Sequence, residues 1–194
     1  SLTKLVDVVV PTLPQIIEAM QKKSPTNKPR AGVRFSTDGK DQSEIALDCQ
    51  IAINSPPTVP MTSVRTAHLD NPVELFAGLL YLRHPDDHSK GGALEICAWK
   101  TPGHKRIGPA RIIDADDVVV KDSVSYGPNK LALFINSLES IHGVTTRDVS
   151  NKARRLVNII GEVYPTQKRV FNDRKFREDR SLFRQMKRKI FGMN

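Results

Sequence analysis

The chain has 194 residues, 39% of them hydrophobic, and a formal net charge of +9 at pH 7. A chain of this size and composition can bury one core and is predicted to form one domain. No apolar run approaches the length of a membrane span, and the first residues show no clear signal-peptide pattern. The two cysteines, Cys49 and Cys97, lie in apolar contexts typical of buried, reduced thiols. They cannot form a disulfide framework, and a cytoplasmic setting is therefore favoured.

The positive charge is concentrated near the C-terminus. Residues 165–194 contain ten Lys or Arg and three Asp or Glu, or +7, which leaves +2 for the rest of the chain. This distribution argues against a nucleic-acid partner for the main domain. Apolar residues recur at mostly helical spacing through this segment: Phe171, Phe176, Leu182, Phe183, Met186 and Ile190. We expect an amphipathic helix that packs on the domain or on a second subunit of a homo-oligomer, with binding to an anionic surface or acidic partner as the alternative.

In chain order, the sequence pattern predicts a β-rich domain between helical ends. Residues 3–23 favour one or two short helices, and residues 24–43 favour a loop. Strands are predicted at 45–54, around 63–70, at 74–83, 93–99, 118–120, 130–136, 142–145 and 154–162, with a connection at 100–111 and a turn at 127–129. Many short strands at regular spacing indicate a mainly β fold with flanking helices, a double-stranded β-helix or cupin-like jelly roll. This domain is predicted to span 1–164, with its core in 45–164.

Two histidines and one aspartate form the strongest candidate site. His68 and Asp70 stand two residues apart in the predicted strand around 63–70, and alternate strand residues point to the same side. His142 lies far along the chain, at the end of an apolar run. Two imidazoles and one carboxylate can occupy one face of an octahedral Fe(II) ion and leave the other face open. The sequence therefore predicts a metal site at His68, Asp70 and His142.

A second cluster of similar residues competes with this assignment. The stretch from His84 to His88 also contains a His-x-Asp pattern and a further histidine. However, Pro85 lies inside it and Ser-Lys-Gly-Gly follows it, so the segment is predicted to be an exposed turn between strands. A loop is poorly suited to hold preorganised metal ligands. We therefore prefer the first group.

Five elements in a fixed order carry a resemblance to a known superfamily. They are His68-Leu-Asp70, Tyr81-Leu, Gly91-Gly-Ala-Leu-Glu-Ile, His142-Gly-Val and Arg154-Arg-Leu, which together span about residues 45–165. In this order they resemble the Fe(II)/2-oxoglutarate-dependent oxygenases, in particular the small prolyl-hydroxylase-like branch and its bacterial and phage relatives. The resemblance implies a dioxygenase that uses Fe(II), 2-oxoglutarate and O2 to hydroxylate an unactivated C–H bond, releasing succinate and CO2. The resemblance does not identify the substrate, nor whether it is a small molecule or a peptidyl side chain.

The resemblance also implies residues that bind the co-substrate. In the family, an arginine on the strand after the distal histidine binds the far carboxylate of 2-oxoglutarate, and here that strand begins Arg154-Arg155-Leu. Neighbouring strand residues point to opposite faces, so only one of the two can face inward. If Val157 and Ile159 line the interior it is Arg155, and if Asn158 does it is Arg154. We favour Arg155, because the Arg-Leu junction matches the family pattern better.

Three further residues are candidates near the co-substrate. Tyr81 occupies the strand position from which a tyrosine hydroxyl contacts 2-oxoglutarate in the prolyl-hydroxylase-like branch. Arg147, five residues after His142, could clamp co-substrate or substrate. Asn136, six residues before His142 and assigned to the same strand, could orient a ligand.

The alternative function is a jelly-roll metal-binding or ligand-binding module of the cupin-like kind, without 2-oxoglutarate turnover.

Overall fold

A computed structural model of the chain describes residues 31–33, 45–59, 63, 65–101, 103, 105–163 and 169–176. Its regular structure is mainly β. The strands are β1 (Ala31–Val33), β2 (Ile45–Asn54), β3 (Glu74–Leu82), β4 (Leu94–Trp99), β5 (Val118–Val124), β6 (Pro128–Ile135), β7 (Ile141–Val144) and β8 (Arg154–Val163). Helical structure in the described residues consists of three 3-10 turns, Pro109–Arg111, Ala115–Asp117 and Arg174–Phe176.

The eight strands form two sheets. The larger sheet has the order β1-β2-β8-β3-β6, and the smaller has the order β5-β4-β7. β8 is central in the larger sheet, because it pairs antiparallel with β2 along ten residues and with β3 on its other side. Side chains from both sheets pack together in one core cluster, where Tyr81 and Leu156 of the larger sheet meet Leu94 of the smaller. The functional side chains described below lie between these two sheets.

Most predicted strands are confirmed, and three expectations are corrected. The predicted loop at 24–43 contains β1, which pairs in parallel with the start of β2. The short strand predicted at 118–120 extends to Val124 as β5. The strand predicted around 63–70 is wrong, because the described residues of that segment, 63 and 65–70, contain only an isolated bridge at His68, paired with both Ile112 and His142. This bridge nevertheless adds the segment to the edge of the smaller sheet, next to β7.

The predictions for the two cysteines and for the chain ends are confirmed only in part or lie outside the described residues. Cys97 is buried as expected, but Cys49 is exposed. The helices predicted at 3–23 and in most of 165–194 lie outside the described residues. The described part of the C-terminal segment, 169–176, ends in the 3-10 turn Arg174–Phe176, and its Phe171 and Phe176 pack against a core cluster of the domain. No helix in the described part of the chain is long and apolar enough to cross a bilayer.

Candidate metal centre

His68, Asp70 and His142 come together in the folded chain. The backbones of His68 and His142 exchange two hydrogen bonds, with N···O distances of 2.9 and 3.1 Å. One ligand atom from each of His68, Asp70 and His142 lies within 4.8 Å of the others, and among the described residues this is the group that could hold a metal ion. The residues are 74 positions apart along the chain, and the bridge between the segment at 68 and β7 brings them together.

In both histidines Nδ1 faces a backbone carbonyl oxygen and Nε2 faces Asp70. Nδ1 of His68 lies 2.7 Å from the carbonyl oxygen of Thr66, and Nδ1 of His142 lies 2.9 Å from that of Ser140. A carbonyl oxygen can only accept, so each Nδ1 carries a proton, and in the neutral form of each ring the lone pair lies on Nε2. Both Nε2 atoms lie 3.5 Å from a carboxylate oxygen of Asp70. The hydrogen bonds from Nδ1 to the carbonyl oxygens are of the kind that orients histidine ligands at metal sites.

The ionisation of the group also suits a cation. Burial lowers the pKa of His142 below its usual value and so favours the neutral imidazole, the form that can bind a metal. Burial acts on Asp70 in the opposite direction, but the hydrogen bond with His68 and the charges of His142, His68 and Arg65 outweigh it and lower its pKa. Burial thus favours a neutral imidazole at His142, and the neighbouring groups favour an ionised carboxylate at Asp70.

A cavity of about 320 Å³ opens onto these three residues. Its wall includes the apolar side chains of Leu79, Leu94, Phe134, Val144 and Leu156, together with the polar residues Asn54, Arg65, Glu74, Arg154 and Asn158. The apolar residues come from strands of both sheets, so the cavity lies between the sheets. The metal-ligand group and Arg154 thus share one enclosure.

Arg154, not Arg155, faces the cavity, which corrects the preference for Arg155. Leu156, Asn158 and Ile160 line the cavity with Arg154, so the even-numbered residues of β8 point inward. Arg155, the next residue along the strand, points to the opposite face and is not part of the cavity wall. The register of β8 between β2 and β3 sets this choice, and the alternation of a strand alone could not.

The guanidinium of Arg154 is buried without a carboxylate partner among the described residues. It donates to the carbonyl oxygen of Gly92 at 3.1 Å, to the side-chain oxygen of Asn54 at 3.2 Å and to the Tyr81 hydroxyl at 3.2 Å. All three acceptors are neutral. A buried cation without a counter-charge is costly, so the site favours an anionic ligand next to Arg154.

Tyr81 and Asn136 occupy different positions from those expected. Tyr81 is fully buried and is not part of the cavity wall; its hydroxyl and ring contact Arg154, so it positions that arginine. Asn136 is not on a strand with His142, because β6 ends at Ile135 in the larger sheet and His142 belongs to β7 in the smaller. Asn136 is also absent from the cavity wall, and its side-chain amide has no hydrogen-bond partner among the described residues.

Arg147 is engaged in a buried ion pair and does not line the cavity at the metal-ligand group. Its Nη2 donates to the carboxylate of Asp87 at 3.1 Å and to the Ser89 hydroxyl at 2.8 Å. Arg83 binds the same loop through the carbonyl oxygens of Asp87 and Ser89. Asp87 was predicted to be exposed, but its side chain is completely buried. His84 and His88 belong to no metal-binding group among the described residues.

Gly91 and Gly92 allow this loop to approach the site closely. Both have positive φ, 84° and 76°, and a Cβ on Gly91 would lie 1.8 Å from the carbonyl oxygen of Thr146. The close approach brings the Gly92 carbonyl oxygen to Arg154, so the pair does more than form the predicted turn. The loop, its Asp87 ion pair and the orientation of Arg154 are therefore coupled.

Four residues at or behind the site were not identified from the sequence. Asn54 and Gly92 accept from Arg154, Asp87 holds the loop, and Arg65 lies 3.7 Å from Asp70. Asn54, Gly92 and Asp87 lie at least 60 positions along the chain from the arginines they contact. Gly92 lies inside a recognised motif and Arg65 lies near one, but neither was assigned a role at the site from the sequence. No protein-family model and no curated protein matches this chain.

Proposed function

We propose that this protein is a non-haem Fe(II)- and 2-oxoglutarate-dependent dioxygenase built on a jelly roll. The observation that carries the proposal is that one cavity contains both the His-Asp-His group and the uncompensated guanidinium of Arg154. A metal-ligand group alone would fit many metalloproteins. A buried arginine beside it supplies the second recognition element that a dicarboxylate co-substrate needs.

The ligand set suits Fe(II). His68, Asp70 and His142 would hold the ion through two Nε2 atoms and one carboxylate, the donor set of a facial triad. When bound, Fe(II) with 2-oxoglutarate and O2 supplies the oxidising power to hydroxylate an unactivated C–H bond, with release of succinate and CO2. The carbonyl oxygens of Thr66 and Ser140 keep the proton on Nδ1 of each histidine and so keep Nε2 available.

The rest of the cavity would bind 2-oxoglutarate and orient it at the metal ion. Arg154 is placed to pair with the far carboxylate of 2-oxoglutarate, and Asn54, Tyr81 and Gly92 hold the guanidinium in place. The apolar side chains that line the cavity with Arg154 and the histidines, such as Leu79 and Phe134, limit the access of water. The protein thus contributes orientation and a largely apolar enclosure around the reacting groups.

Anaerobic titration with Fe(II) and then 2-oxoglutarate tests the proposal. We expect a weak visible metal-to-ligand charge-transfer band that requires both additions and is lost in His142→Ala. Succinate release would then report turnover with candidate substrates. A folded, Fe(II)-loaded protein that shows no band would instead favour the alternative, a cupin-like metal-binding module without 2-oxoglutarate turnover.

The two neighbouring arginines provide an internal comparison. Arg154→Gln is expected to weaken 2-oxoglutarate binding to the Mn(II)-loaded protein by about 10- to 100-fold, because it removes a charge-assisted hydrogen-bonded pair. Arg155→Gln, on the opposite face of β8, is expected to leave the affinity unchanged. Isothermal titration calorimetry measures both. Loss of affinity in Arg155→Gln with normal affinity in Arg154→Gln would reverse the assignment.

A further inference from the structure

The cavity wall contains a second arginine whose bonding differs from that of Arg154. Arg65 lines the same cavity, and its side chain is 42% exposed. Its closest charged contact is Asp70 Oδ1, at 3.7 Å from Nη1, which is longer than a hydrogen bond. Its guanidinium makes no hydrogen bond to any described residue, whereas Arg154 makes three. Arg65 therefore has donors to offer a ligand at the cavity entrance.

The backbone beneath this side chain is well fixed. The N–H of Val144 donates to the carbonyl oxygen of Arg65 at 2.9 Å, so Arg65 is tied to β7 two residues beyond His142. The N–H of Arg65 donates to the Ser63 hydroxyl, which in turn donates to the carbonyl oxygen of Val144. A guanidinium whose backbone is already held by hydrogen bonds can bind a ligand with little further ordering of the chain. The fixed position also keeps the group close to the metal ligands.

In the loaded site Asp70 would be a metal ligand and would no longer serve as the counter-charge of Arg65. In the chain alone, Asp70 is the carboxylate nearest to Arg65. A divalent ion and its chelating co-substrate would take up the charge of Asp70, and the far carboxylate of 2-oxoglutarate would pair with Arg154. Arg65 would then be a cation in the cavity wall with a free, planar donor fork. That fork fits a carboxylate or phosphate in two-pronged geometry.

We propose that Arg65 binds an anionic group, a carboxylate or a phosphate, of the primary substrate. This inference rests on the proposed function, because it places the substrate beside a metal-bound co-substrate. It makes Arg65 a specificity-determining residue and restricts the substrate class to anionic molecules. A neutral glycan or an uncharged peptidyl side chain would leave the guanidinium unpaired and is disfavoured.

Binding of simple anions tests this proposal without any need for turnover. The full chain is loaded with Zn(II) and oxalate, so that oxalate fills the open positions of the ion, and is then titrated with inorganic phosphate or acetate by calorimetry at low ionic strength. We expect the wild type to bind at least one anion. Arg65→Gln should weaken this binding by about tenfold or more, and Arg65→Lys should retain part of it.

Arg106→Gln is the matched control, because the side chain of Arg106 is 48% exposed and pairs with Asp117, which is not part of the cavity wall. Its anion affinity should equal that of the wild type. Tighter binding of phosphate would indicate a phosphorylated substrate, and tighter binding of acetate a carboxylic acid. The proposal is overturned if the wild type binds neither anion or if Arg65→Gln binds as the wild type does. It is also overturned if Arg65→Gln loses zinc affinity as strongly as anion affinity, since Arg65 would then position Asp70.

Failure of this proposal and failure of the proposed function give different results. Oxalate leaves Arg154 open to the added anion, so Arg154→Gln is titrated in parallel, and only the anion binding that Arg65→Gln loses and Arg154→Gln keeps is assigned to Arg65. Absence of the charge-transfer band with Fe(II) and 2-oxoglutarate would count against the dioxygenase. Absence of Arg65-dependent anion binding would count against the substrate class alone.

Discussion

Replacing His142 with alanine is expected to weaken Fe(II) binding by about a hundredfold or more. Even residues that only support metal ligands change affinity by about 10- to 100-fold, and His142 would be a direct ligand. Its Nε2 lies 3.5 Å from Asp70, and its Nδ1 is already committed to the carbonyl oxygen of Ser140. Anaerobic calorimetry with Fe(II), or with Co(II) as a stable substitute, measures the affinity. For the same reason, Asp70→Ala is expected to abolish succinate release.

His88→Ala is the matched control for this experiment. His88 is an exposed histidine in the loop between β3 and β4, and it belongs to no metal-binding group in the described residues. Its removal should leave Fe(II) affinity at the wild-type level. Thermal unfolding of His142→Ala must show a folded protein, because the imidazole also packs against Phe134 and His68. Wild-type affinity in a folded His142→Ala protein would rule out the metal centre described here.

Asp87→Ala is expected to destabilise the protein by about 3–5 kcal/mol, the usual cost of removing one partner from a buried ion pair. The Asp87 side chain is 0% exposed and accepts hydrogen bonds from Ser89 and Arg147. Without its carboxylate, Arg147 would remain buried with an uncompensated charge. Chemical denaturation gives the free energy of unfolding. Asp86→Ala is the control, because that neighbouring side chain is 73% exposed and its removal should change stability by no more than about 0.5 kcal/mol.

The effect of Asp87 should also depend on pH. Burial alone would raise the pKa of Asp87, but hydrogen bonds from Ser89 and the charges of Arg147 and Arg83 outweigh it and hold the pKa below the ordinary 3.8. Because the folded pKa is below the unfolded one, this stabilisation is present above 3.8 and is lost as the pH falls through the lowered value. The stability difference between wild type and Asp87→Ala should therefore narrow in acid. A constant difference down to the lowest pH at which both fold would contradict the ionic origin of the effect.

Local patterns were sufficient for most of the strands and for the metal-ligand group. The predicted strand at 45–54 coincides with β2, and the predicted strands that became β3, β4 and β8 agree to within one residue at each end. Alternating or continuous apolar residues report strands because they describe burial on a pleated surface, which is a local property. The prediction of a strand around 63–70 is wrong because that segment lacks such a local pattern. Among its described residues the β-bridges are confined to His68, and an isolated bridge leaves no repeating pattern in the sequence.

The sequence by itself was enough to select His68, Asp70 and His142 as candidate ligands, because their residue types and spacing suit a metal site and the competing stretch from His84 to His88 is predicted to form a turn. Only the tertiary structure decided which way each arginine points. The register of β8 turns Arg154 inward, the buried carboxylate of Asp87 takes Arg147, and the contact of the segment at 65 with β7 brings Arg65 to the cavity. Each of these outcomes depends on pairing between distant segments. A strand pattern specifies that its two faces differ, but the partner strands determine which face is covered.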